Sequence, residues 1–159
     1  MTTTTTHSAA VHAPRGVFAS TQRPLAAADR NTGATVLRVA LGTMWISHAL
    51  LKVLVFTLPG TAQFFASNGL PGALAYPVAA AELLGGTALV LGLYGRQVSL
   101  LLVPVLLGAA WVHWPNGWVF TQPNGGWEYP VFLAVASLAH WLMGDGRFAL
   151  RRSAWLAPR

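Results

Sequence analysis

The chain has 159 residues, which is the length of one domain, and it is 54% hydrophobic and only 9% charged. That is too little charge to cover a soluble domain, so most of its apolar surface must face lipid. The net charge of +6 sits in the tails and one short turn rather than on a binding face, which argues against nucleic acid. Cysteine is absent, which excludes disulfides, thiolate metal sites, iron–sulfur clusters and CxxC redox chemistry, so any redox role needs a bound cofactor.

In chain order, residues 1–33 are rich in Thr, Ala, Ser and Pro and have no sustained apolar period, which reads as a disordered tail. They lack the apolar run of a secretory signal, and Pro14 and Pro24 interrupt the amphipathic helix of an organellar presequence. His7 and His12 read as solvated tail residues. Four apolar stretches follow, at about 34–58, 73–94, 97–115 and 127–143, each near the ~20 residues that cross a ~30 Å hydrocarbon layer. The expected fold is all-α: an antiparallel bundle of four transmembrane helices over residues 34–146, with a basic cytoplasmic tail over 147–159.

The basic residues orient it. Arg15, Arg23, Arg30 and Arg38 precede or open the first span, Arg96 follows the second, and Arg147, Arg151, Arg152 and Arg159 follow the fourth. The connections 59–72 and 116–126 hold no Lys or Arg, so the positive-inside rule places both termini inside and both connections outside. Phe64, Phe65, Trp118 and Phe120 make those outer connections aromatic, as segments lying on the bilayer surface are. The turn Tyr94-Gly95-Arg96 predicts a helical hairpin, and Gly85, Gly86 and Gly92 predict close helix approach. Pro104 interrupts the third span, while Pro130 falls in the first turn of the fourth, where proline is tolerated.

Five ionisable residues stand where hydrocarbon is expected, at a cost of about 2.5–3.5 kcal/mol each near mid-bilayer. His48 and Lys52 share a face of the first span, Glu82 is on the second, His113 near the outer end of the third and Glu128 at the outer start of the fourth. Counting ~1.5 Å per residue places Lys52 ~8 Å, Glu82 ~12 Å and His48 ~13 Å beneath the outer boundary, with His113 at ~5 Å. Lys52, Glu82 and His48 are thus expected to meet, and His113 and Glu128 to form a second pair. The five together predict a ligand-binding or proton-handling pocket, ringed by Trp45, Trp111 and Trp114, that suits an amphipathic ligand such as a quinone head, with His48 or His113 bonding its carbonyl. The competing reading is that these pairs only hold the helices in register. Arg38 is expected to snorkel to phosphate. His48, His113 and His140 lie on different spans, but His140 falls ~6 Å deeper than His48, which disfavours haem, and no other metal site is expected.

These positions together resemble the DoxX family of small four-helix bacterial membrane proteins. The resemblance is carried by Arg38 and Gly42, His48 with Lys52, Gly69-Leu70-Pro71, the run Glu82-Leu83-Leu84-Gly85-Gly86 with Gly92 and Arg96, then His113, Glu128 and Gly144-Asp145-Gly146-Arg147. It covers residues 35 to about 148, and it departs at Ala49, where the family often has Gly, and at Phe148-Ala149-Leu150, which replaces the usual ending. The resemblance implies an inner-membrane protein linked to redox systems, at most a non-catalytic or quinone-binding subunit of an oxidoreductase complex, with a soluble or membrane redox protein as partner. It assigns no catalytic residues. The alternatives are an assembly partner without catalysis and, less well supported because only Arg38 and His140 lie in the inner half, a small-solute or proton transporter.

Overall fold

The computed structural model describes residues 22–153, with side chains from residue 31 onward. Of the tail expected to be disordered over residues 1–33, residues 1–21 lie outside the described residues, as does the C-terminal tail beyond 153, whereas residues 22–33 belong to a helix. The described chain is all-α. Helix α1 is Gln22–Leu50, continued by a π-helical segment Leu51–Val55; α2 is Leu58–Ser67, α3 Ala75–Leu91, α4 Gly95–His113 and α5 Glu128–Met143. Helix α1 thus starts twelve residues ahead of the first apolar stretch, as the Ala-rich run after Pro24 favours helix.

Three stretches among the described residues are long and apolar enough to cross a membrane: Asn31–Val55, Gly72–Leu91 and Gly95–Asn116. Helix α5 has 16 residues, or ~24 Å of rise, short of a ~30 Å hydrocarbon layer. Helix α4 continues through Pro104, and Pro130 is buried in the first turn of α5.

Helix α1 packs on α3, and α4 on both α3 and α5. A core of Leu41, Trp45, Leu89, Leu102, Leu106 and Ala134 joins all four. The α1–α3 contact is backbone against backbone. A Cβ on Gly42 would lie 2.7 Å from the Gly86 carbonyl, and one on Gly86 would lie 2.8 Å from the Gly42 carbonyl, so each glycine makes room for the other helix. Gly85 gives the same room to Leu102 of α4.

The connection expected as an outer loop over 59–72 is mostly helix. Thr57 caps α2, its hydroxyl accepting from the Gly60 amide at 3.2 Å, and Pro59 sits in the first turn, where its missing N–H costs nothing. Thr57 takes φ 62° and ψ 152°, a strained conformation for a β-branched residue, two residues after the π-helical segment ends.

At the arginine end the chain is closed by a network. Helix α3 ends on Gly92 at φ 70°, with the Leu93 amide donating to the Ala88 carbonyl at 2.8 Å. Arg38, only 1% exposed, donates to the Leu89 carbonyl at 3.0 Å and to the Arg147 carbonyl at 3.3 Å. Arg38 therefore does not snorkel to phosphate: its guanidinium caps the negative end of α3 from the neighbouring helix. Asp145 does the converse for α4, its carboxylate accepting from the Arg96 amide at 2.9 Å at the positive end. Residues beyond Asp145 are pinned as well, since the Arg151 amide donates to the Gly92 carbonyl at 3.0 Å and the Tyr94 amide donates back to the Arg151 carbonyl at 2.9 Å.

Candidate functional site at the aromatic end

Toward the opposite end, the deepest charge is Glu82 on α3, 3% exposed. Lys52 reaches it from the π-helical segment, its Nζ donating to both carboxylate oxygens at 2.9 Å. The two charges thus meet where hydrocarbon would make either alone costly. The wider π turn sets where Lys52 leaves the helix, and single-turn π segments recur at functional sites.

His48 does not complete this pair. Its Nδ1 donates to the Met44 carbonyl at 3.0 Å, and its ring stacks toward Tyr129 of α5, with centroids 6.2 Å apart. The tilt of a helical side chain toward the preceding turn carries it there. Tyr129 in turn donates to the Met44 sulfur, which ties α5 to α1.

His113 and Glu128 do not form the expected second pair. Glu128 instead accepts from the Phe120 amide at 2.9 Å and so fastens the connection 114–127. His113 donates from Nδ1 to the Ala109 carbonyl at 2.8 Å and faces a cleft of about 250 Å³ bounded by Phe64, Ser67, Asn68, Asn116 and Asn124. Helix α2 forms one wall of that cleft, which is why reading residues 59–72 as a loop missed Ser67 and Asn68. The Thr57 cap and Pro59 were the available signal.

The three tryptophans do not ring one pocket either. Trp45 is buried in the core, whereas Trp111 is 58% and Trp114 61% exposed. Trp114 stacks on Trp127, centroids 4.6 Å apart, and Trp118 meets Trp127 edge-on at 4.4 Å, so these rings form a surface cluster. Wide amphipathic rings gain by lying at an interface. A second, open groove on α5 is lined by Trp118, Glu128, Tyr129 and Phe132.

Sequence reading also undercounted the polar groups at the arginine half. His140 is fully buried with Nδ1 2.7 Å from the Ser99 hydroxyl, and Ser137 and Asp145 are buried near the same end. Gly95 is the meeting point: a Cβ there would lie 3.1 Å from Arg38 Cδ, 3.1 Å from Asp145 Oδ1 and 3.2 Å from His140 Cε1. Among the described residues no three His, Asp or Glu side chains gather as a metal site, and each of His48, His113 and His140 has one ring nitrogen engaged within the protein.

An apolar helical bundle with a charge pair held inside it and glycines between its helices defines a small membrane protein. Residues 33–114 match the DoxX family, just over half the chain, and the chain belongs to that family. Glu128 and the Gly144–Arg147 motif fall beyond the matched region. The chain is also 43% identical over 77 residues to the Bacillus subtilis (strain 168) protein named "Putative oxidoreductase CatD". That similarity takes in 48% of this chain and 56% of the relative's length. No solved structure matches.

Proposed function

We propose that this chain is a four-crossing subunit of a quinone- or quinol-linked redox system in a bacterial plasma membrane, with both termini in the cytoplasm and a polar site in the outer half. The observation that carries the reading is the Lys52–Glu82 pair: a carboxylate 3% exposed, held at both oxygens by one ammonium, inside an otherwise apolar bundle. Such a pair is costly to bury, and intramembrane pairs of this kind mark proton and ligand sites more often than lipid-facing surface. The family, and the redox name of a relative, support the setting. The absence of Lys and Arg from 53–95 and from 97–146 supports the orientation. Helix α5 crosses by local thinning of the bilayer, which tolerates a short span at modest cost.

The residues present fit a quinone-type head. The cleft at His113 holds an aromatic wall, Phe64, and uncharged hydrogen-bonding groups from Ser67, Asn68 and Asn116. Such a ring, when bound, would supply the electron-carrying chemistry. The chain's own share is to orient the head at His113 and to hold a proton-exchanging pair at Lys52–Glu82, while a separate redox protein delivers or takes the electrons.

The test is the quinone and quinol retained by the purified protein, extracted and quantified by mass spectrometry. Glu82→Gln is expected to lower the retained amount several-fold. Wild-type retention in both Glu82→Gln and Lys52→Met removes the pair from the site. A second reading, an assembly partner without a ligand, is favoured by one feature, that the pair satisfies itself completely. It predicts instead that the purified protein retains no quinone or quinol and that both variants, though less stable, leave the activity of an assembled partner unchanged.

A further inference from the structure

The segment that follows α5 lies across the arginine end of the bundle, and its backbone is tied to two spans. On α1, the Arg147 amide donates to the Thr35 hydroxyl oxygen at 2.6 Å; on α3, the Leu150 amide donates to the Leu91 carbonyl at 3.3 Å. Asn31 opens one apolar stretch, four residues before Thr35, and Leu91 closes another. The segment therefore sits level with the span ends, where hydrocarbon gives way to headgroups. Ala149 packs on Gly92, where an added Cβ would come within 2.6 Å of the Ala149 Cα. Phe148 and Leu150 on either side of it are 82% and 71% exposed. Phe148 holds φ 57°, a conformation that glycine adopts more readily, so an aromatic ring stands where the backbone alone favours none. Arg147, Arg151 and Arg152 are exposed on the same segment. The Arg147 guanidinium carbon lies 5.5 Å from the centroid of the Phe148 ring, and that of Arg151 lies 5.4 Å from the centroid of Tyr94. No side-chain hydrogen bond or ion pair among the described residues takes up these three guanidinium groups, and Asp145 spends its carboxylate on the amides of Arg96 and Ser153.

We infer that residues 147–152 form a binding site for anionic phospholipid, with Arg147, Arg151 and Arg152 on the headgroup phosphate and Phe148 and Leu150 in the acyl boundary. A guanidinium presents paired N–H donors that match phosphate oxygens, and a basic segment at the membrane surface gains with each arginine it brings to an anionic leaflet. The two bare apolar side chains decide between sources of phosphate: a lipid covers them, whereas a free phosphate ion or an inositol phosphate leaves them in water. An acidic protein would match the charge as well, but the level of the segment at the span ends favours the lipid that already surrounds it. Bound lipid also fastens the closure of α3, because the Arg147 carbonyl accepts from Arg38 and the Arg151 amide donates to the Gly92 carbonyl. The site is at the opposite end from the His113 cleft and requires only that the spans cross a bilayer, so it stands apart from the redox reading.

The experiment incubates the detergent-solubilised full chain with equimolar palmitoyl-oleoyl phosphatidylglycerol and phosphatidylcholine, which differ only in headgroup, and counts the lipids retained by native mass spectrometry. Phosphatidylglycerol is expected to be retained about tenfold or more over phosphatidylcholine, since each arginine near the surface contributes several-fold. The triple variant Arg147→Gln, Arg151→Gln, Arg152→Gln keeps every backbone bond of the segment and is expected to erase the preference. A variant of equal charge, Arg15→Gln, Arg23→Gln, Arg30→Gln, is expected to keep it. In vesicles of the two lipids, a spin label on Phe148→Cys is expected to collide with oxygen and to be shielded from a water-soluble nickel complex. Equal retention of the two lipids overturns the inference, as does a preference that survives the first triple variant or falls equally in both. Free collision of the Phe148→Cys label with the nickel complex also overturns it and leaves the segment to an acidic protein.

Discussion

At the scale of single residues, charge decides most of what is distinctive here. Removing one member of the Lys52–Glu82 pair strands the other in an apolar bundle, a loss on the order of 3 kcal/mol or more. Replacing both by apolar groups of similar volume leaves nothing stranded. Lys52→Met is therefore expected to lower the melting temperature in detergent, and Lys52→Met with Glu82→Leu to recover most of it. A double variant no more stable than the single one would contradict a mutual pair. Gly92 carries the second prediction. At φ 70° it accepts no Cβ without strain, and a Cβ there would run into Nη1 of Arg38 and approach Ala149 to 2.6 Å. Gly92→Ala is expected to cost more than the ~1 kcal/mol of conformational strain alone, read as a lower thermal midpoint. The Lys52–Glu82 meeting was legible in the sequence because depth along two spans follows from residue count. Arg38 was not, since its partners are carbonyls exposed only because α3 stops at Gly92, and a helix end is a property of two segments at once.

At the scale of elements, the contact of α1 with α3 depends on having no side chain at Gly42 and Gly86. Overpacking a close helix contact costs roughly 1–3 kcal/mol. Gly86→Ala is expected to lose stability in that range, whereas Gly108→Ala on α4, where a Cβ would meet nothing within 4 Å, is expected to be neutral or slightly stabilising. Equal losses at the two positions would contradict the packing account. Three of the apolar stretches were readable as spans because each has a long window of high mean hydropathy, so the lipid rather than a particular neighbour specifies them. The π-helical segment was not readable. Leu51–Val55 has no residue that demands the wider turn, which lies where α1 runs up to Thr57 and α2. Helix α2 was passed over as a loop because its ten residues are too few to span and its aromatic content drew the reading toward the bilayer surface.

At the scale of the whole molecule, the two ends have opposite chemistry. One carries Arg96, Arg147, Arg151 and Arg152 around a buried knot of Arg38, Asp145 and His140; the other carries exposed tryptophans, a polar cleft and no Lys or Arg in its connections. The site's residue types were foreseeable from the sequence, but their partition was not. Of the five expected to line one pocket, Lys52 and Glu82 bind each other, His48 faces Tyr129, His113 faces the cleft and Glu128 holds a backbone amide, because each helix rotation is fixed by its packing rather than by depth. The central claim is that the cleft end faces outward and the arginine end inward, with α5 making the fourth crossing. A chain without native cysteine allows single reporters: Ala66→Cys and Thr121→Cys at the aromatic end, Phe148→Cys at the arginine end. With an impermeant thiol reagent on intact cells, Ala66→Cys and Thr121→Cys are expected to label directly and Phe148→Cys only after permeabilisation. Direct labelling of Phe148→Cys would contradict the account.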